Sequence, residues 1–158
     1  MSYSICGFII PLSEARICST QKWPCVTLAR DLSLIPLQRD FLFLTEGDAT
    51  PAGDLRDFPI PAWFSEAAFC FSRCAYIEAE FWGGTGMQAA VVLERTRLIF
   101  GPEISPGAIN TALRHMGVDD GLSVTLYGIA SPTGEDPFDA VGLNRHRSVS
   151  AWLRESTL

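Results

Sequence analysis

Glu78 and Glu80 stand two residues apart in the stretch AYIEAEFW, residues 75–82, with Tyr76 and Trp82 on either side of them. Side chains alternate along a strand, so Tyr76, Glu78, Glu80 and Trp82 are expected to share one face, opposite Ala75, Ile77, Ala79 and Phe81. Two carboxylates about 5 to 10 Å apart can flank a scissile glycosidic bond as acid and base. The same pair could begin a hard-cation site, although such sites gather more oxygen ligands and neither His115 nor His146 is near in sequence. A third reading is the polar outer face of a half-buried sheet. Acids with an aromatic rim on such a face form an anchor patch for a basic partner.

The next residues, FWGGTGMQAA, carry a second chemical suggestion. Gly84-Thr85-Gly86-Met87-Gln88-Ala89 fits the Gly-x-Gly-x-x-Gly/Ala pattern of dinucleotide loops. That chemistry needs a helix directly after the glycines, because the phosphates sit on its N-terminal N–H groups. Here MQAAVVLERTRLIF follows, which reads as two strands around an Arg95-Thr96 turn, and no Gly-Lys-Ser/Thr occurs. Gly83, Gly84 and Gly86 are therefore expected to supply positive φ angles to a hairpin that lays AYIEAEFW antiparallel to MQAAVVLE.

Other reactive residues give weaker signals. Cys6, Cys18, Cys25, Cys70 and Cys74 are odd in number and form no Cys-x-x-Cys pair, so they are expected to be free thiols packed as small hydrophobes. Cys70 and Cys74 are one helical turn apart, but two ligands without a nearby His make no metal site. His115 falls near the end of an expected helix, where a structural role is favoured. Arg145, His146 and Arg147 are expected to pair with the acidic GEDPFD just upstream. No Gly-x-Ser-x-Gly nucleophile motif occurs. No cofactor and no metal are expected.

The formal charge is −6, with Asp119, Asp120, Glu135, Asp136 and Asp139 falling in a stretch that contains no Lys or Arg. Phosphate binding usually requires the opposite excess, so nucleic acid is a poor partner, whereas an acidic surface speeds encounter with a basic one. The N-terminus lacks the basic start of a signal peptide, and no apolar run reaches the roughly 18 residues of a membrane span. A cytoplasmic protein without a membrane partner is the expectation.

These residues must be positioned by a fold that 158 residues, 47% of them hydrophobic, can build as a single domain over 1–158. Strands are expected at Tyr3–Ile10, CVTLA, LSLIPL, AYIEAEFW, MQAAVVLE, RLIFGPE and LSVTLYGIA. Helices are expected at Leu12–Ser19, Ala62–Cys74, Pro106–Met116 with Ser105 as cap, and VSAWLREST. TEGDATPAGDLRDFPIP reads as a surface loop. The order implies an α+β fold with a mostly antiparallel central sheet and about three to five helices packed on it.

AYIEAEFWGGTGMQAAVV, with DPFDAVGLNRHRSVSAWL far downstream, resembles small bacterial immunity proteins of toxin–immunity loci, including contact-dependent growth inhibition and related polymorphic toxin systems. The resemblance implies a non-enzymatic cytosolic protein that binds a delivered toxin domain, often a nuclease with a basic cleft, and blocks it. Tyr76, Glu78, Glu80, Trp82 and the acids at 119, 120, 135, 136 and 139 are then the expected contact residues. The alternatives are a small hydrolase or glycan-active enzyme with Glu78 and Glu80 as acid and base, and a ligand-binding or scaffold domain.

Overall fold

Strand β1 (Ser2–Pro11) is the spine of the molecule, and its run ICGFII is apolar without alternation. A strand that must bury both faces reads this way. The computed structural model describes residues 2–44, 61–83, 85–95, 97–118, 122–124, 130–132 and 136–156. Around β1 lie β2 (Val26–Thr27), β3 (Leu32–Pro36), β4 (Arg73–Trp82), β5 (Thr85–Glu94) and β6 (Arg97–Ile104). They form one sheet in the order β2-β3-β1-β4-β5-β6, with every neighbouring pair antiparallel. A separate pair, β7 (Leu122–Val124) and β8 (Ala130–Pro132), is also antiparallel.

Helices cover the sheet on both sides. On the first face Tyr3, Ile5, Ile9, Ala75, Ile77, Ala79, Ala90 and Val92 pack with α3 (Ala108–His115), with Val141 just after α4 (Pro137–Ala140), and with Trp152 of α5 (Val149–Ser156). On the second, Cys6, Phe8, Ile10, Cys74, Tyr76, Ala89, Val91 and Leu93 pack with Phe64, Ala67 and Ala68 of α2 (Ala62–Ala68), Cys18 of α1 (Arg16–Gln21), and Phe43. Fully burying a side chain such as Phe8 or Ile9 contributes roughly 2 to 3 kcal/mol, so the two clusters together dominate the stability of the fold. The α+β architecture and the antiparallel sheet are as expected. The half-buried sheet is not: its centre is covered twice, and the α2 layer is what hides the second face.

Local departures have local causes. Helix α2 stops at Ala68 instead of reaching Cys74, because Cys70 N–H and Phe71 N–H turn back to the carbonyls of Ala67 and Ala68. Ser72 N–H is then taken by the Glu14 carboxylate at 3.1 and 3.2 Å. Cys70 and Cys74 consequently share no helix face. Helix α3 begins at Ala108, and Ser105 does not cap it, since its hydroxyl donates to Glu103 at 3.2 Å. The buried side chain of Gln88 replaces a cap from a neighbouring strand, its Oε1 accepting Ile109 N–H at 3.0 Å. The expected strand LSVTLYGIA is seen at Leu122–Val124 and at Ala130, with 125–129 outside the described residues, as is most of the expected loop, 45–60. No helix among the described residues is long and apolar enough to cross a membrane.

Candidate functional site

The β4–β5 hairpin is the element that places the expected site. Its register pairs Tyr76 with Val91, Glu78 with Ala89, Glu80 with Met87 and Trp82 with Thr85, which puts the four expected residues on one face as alternation requires. That face meets two environments along its length, and the division falls between Glu78 and Glu80.

Glu78 is 0% exposed. Its carboxylate accepts the backbone N–H groups of three consecutive residues: Leu42 at Oε1, Phe43 at 3.0 Å and Leu44 at 2.9 Å at Oε2. Tyr76 Oη donates to Glu78 Oε1 at 2.5 Å, and the Cys6 thiol lies 3.2 Å from the same phenol oxygen. The single phenol hydrogen goes to Glu78, so the Cys6 S–H donates to the phenol oxygen. Burial, reinforced by the neighbouring Cys6 and Glu78, pushes Tyr76 upward from its ordinary pKa, and burial pushes Cys6 up to about 12. These are the properties of an internal anchor that ties 42–44 to the sheet with charge-assisted hydrogen bonds. Tyr76 and Glu78 therefore do not lie on the outer face expected for them. Without solvent access and with its oxygens occupied, Glu78 has no route to act on a substrate as acid or base.

Glu80 and Trp82 sit beyond this cover. Trp82 is 66% exposed and Met87, directly across from Glu80, is 45% exposed. Trp82 Nε1 donates to Glu80 Oε1 at 3.2 Å, which fixes the indole beside the carboxylate. The hairpin turns at Gly83, whose φ of +55° favours glycine. Gly86 serves differently: its φ is not positive, and a Cβ there would run into the Phe81 ring and the Glu80 carbonyl. Gly84 lies outside the described residues. A strand follows directly, so no helix N-terminus is present for the phosphate of a dinucleotide.

The acids further along divide in the same way. Asp136 caps α4, accepting Phe138 N–H at 2.9 Å and the Asn110 side-chain amide at 2.7 Å. Asp139 is exposed on the first turn of that helix. Phe138 reaches the hairpin end through Tyr3, packing edge-on to it with centroids 5.6 Å apart, while Tyr3 in turn lies 5.9 Å from Phe81. Burial, then the charge of Asp139, pushes the Tyr3 phenol upward, and its hydroxyl donates to the Leu143 carbonyl at 3.0 Å. Phe138 thus brings α4, with Asp136 and Asp139, to the Tyr3 and Phe81 face of the hairpin end, whereas Glu80, Trp82 and Met87 are on the opposite face of the hairpin. Asp119, Asp120 and Glu135 lie outside the described residues.

His115 stacks on Phe100 at 5.1 Å, and its carbonyl accepts Arg73 Nη1 at 2.8 Å, a structural placement. Among the described residues, Arg145 and His146 pair with Glu155 of α5, at 2.9 and 2.5 Å, instead of with Asp136 or Asp139. Phe41, Leu42, Arg39, Asp40, Pro61 and Trp63 border an open groove of about 630 Å³, with the Arg39 guanidinium 4.7 Å over the Trp63 ring. Among the described residues no group of three or more His, Cys, Asp and Glu is placed to hold a metal ion. The sequence reading missed Met87, which faces Glu80 across the hairpin, and missed the backbone donors of 42–44, which leave no side-chain signal. No family model matches this chain, and no curated protein or solved structure matches it.

Proposed function

We propose that this chain is an immunity protein, a binding protein without a reaction of its own that neutralises a basic, nuclease-type toxin domain in the cytoplasm. The observation that carries the reading is the open end of the β4–β5 hairpin, where Trp82 stands 66% exposed beside Glu80 and Met87. Aromatic and Met side chains with a charged rim are the composition of interface anchors. The two segments that resemble immunity proteins support it further, since they meet at this end through Phe81, Tyr3 and Phe138. A net charge of −6 favours encounter with a basic cleft. The enzymatic alternative loses its acid/base pair to the burial of Glu78, which leaves Glu80 alone.

The test is co-expression with the toxin domain encoded next to this gene. Protection of the cells together with direct binding of the purified proteins is the expected result. Full toxicity in the presence of the protein, with no binding, would overturn the reading.

A further inference from the structure

The groove between Arg39, Leu42 and Trp63 is bordered by residues that the proposed function does not use. Its volume, about 630 Å³, lies in the range of ligand sites. Both of its walls are fixed from beneath by Tyr76. On one side Tyr76 hydrogen-bonds Glu78, whose carboxylate holds the N–H groups of Leu42, Phe43 and Leu44. On the other, the Tyr76 ring lies 6.1 Å from the Trp63 ring, which also meets Phe64 at 5.9 Å and Phe8 at 6.5 Å. Three buried aromatic rings therefore hold the indole in place, and the groove is shaped before any ligand arrives.

Arg39 is exposed, with its guanidinium carbon over the Trp63 ring, 4.7 Å from the centre. A guanidinium attracted to an aromatic face keeps its N–H donors for an acceptor, and a carboxylate matches two of them at once. Among the described residues no ion pair neutralises Arg39. Asp40 and Gln38 line the same groove, so an acceptor for an N–H and an amide for a C=O stand with the cation. Phe41 and Pro61 add apolar surface. The geometry points to this groove as a binding site for the C-terminal end of a peptide chain. The terminal carboxylate sits on Arg39, a backbone N–H on Asp40, and an apolar last side chain against Trp63 and Phe41. An organic acid with no N–H would meet the charge of Asp40 with nothing to offer it, which favours the peptide end. The groove is open, as a chain entering from solvent requires. This site stands whether or not the hairpin end meets a toxin domain.

The experiment follows the Trp63 indole N–H resonance of the full, isotope-labelled chain, identified by its loss in Trp63→Phe. The probes are the peptide acetyl-Ala-Ala-Phe with a free carboxylate, the same peptide with a C-terminal amide, and phenylacetate. The free acid is expected to shift this resonance saturably, and the amide to bind about tenfold more weakly or worse, through loss of the charge-assisted pair. Arg39→Gln, a change at an exposed side chain, is expected to weaken the acid by a similar factor and to leave the amide as it was. Phenylacetate is expected to bind more weakly than the acid peptide. No saturable shift, equal affinity for acid and amide, or an unaltered affinity in Arg39→Gln would overturn the proposal. Phenylacetate binding as tightly as the acid peptide would overturn the peptide end as the ligand.

Discussion

Tyr76 donates its phenolic hydrogen to Glu78 at 2.5 Å, and both side chains are buried between the sheet and the residues that cross it at 42–44. This pair anchors a segment that precedes it by 34 to 36 residues, through the N–H groups of Leu42, Phe43 and Leu44. Two residues further along the same strand, Glu80 belongs to the surface.

Glu78→Ala is expected to lower unfolding free energy by about 3 kcal/mol or more, because three N–H donors and a phenol lose their acceptor in the interior. Glu78→Gln is expected to cost less, since one oxygen still accepts. Glu80→Gln should stay within about 0.5 kcal/mol of the unmutated protein, as surface changes usually do. Urea unfolding of the three variants checks the order, and equal midpoints for Glu78→Ala and Glu80→Gln would contradict the anchor.

The two hairpin glycines among the described residues, Gly83 and Gly86, should respond differently. Gly83→Ala meets open space and carries only the strain of a positive φ, about 1 kcal/mol. Gly86→Ala drives a methyl group into the Phe81 ring and the Glu80 carbonyl, with an expected loss of about 2 kcal/mol. Thermal melting of the pair should rank Gly86→Ala as the less stable, and the reverse order would count against the described packing of Phe81.

Alkylation by iodoacetamide should single out Cys25. Its pKa is lowered to about 7, chiefly by the neighbouring Cys18 thiol, against the opposing effect of burial. A lowered thiol pKa means that the thiolate is populated as pH rises through about 7, so labelling at Cys25 should climb between pH 6 and 8, a window set by that value. Cys6 and Cys74 should remain unlabelled over the same range. Peptide mapping of the labelled sites reads this directly, and a flat profile at Cys25 would contradict it.

Charge reversal offers a kinetic check on the acidic end of the sheet. Asp139 is the better target than Asp136, because Asp136 is engaged in capping α4 and holding Asn110. Glu80→Lys with Asp139→Lys is expected to slow association with the cognate toxin domain several-fold at low salt, with the difference shrinking as salt is raised. Stopped-flow association rates that do not change would remove steering by this surface.

Much of the fold was legible because its signals are local. The alternation of AYIEAEFW, the apolar run of β1 and the glycines before MQAAVVLE each mark a strand or a turn within a few residues. The face assignment of Tyr76, Glu78, Glu80 and Trp82 was also correct. What covers that face was not legible, since burial of Glu78 depends on main-chain donors at 42–44, and a main-chain N–H is the same in every residue but proline. The cap of α3 was hidden for a similar reason: Gln88 lies on another strand, 21 residues before the N–H that it accepts. The partners of Arg145 and His146 were sought upstream among near neighbours, whereas the turn into α5 brings Glu155 back to them.

The central claim is the proposal that the open hairpin end binds a toxin domain, and the most direct measurement is the affinity of the unmutated protein and of Trp82→Ala for a toxin domain encoded beside the gene. Tight binding by the unmutated protein, weakened by about tenfold or more in a folded Trp82→Ala variant, is the expected result for an exposed aromatic anchor. No binding by the unmutated protein, or the same affinity in both, would contradict the account.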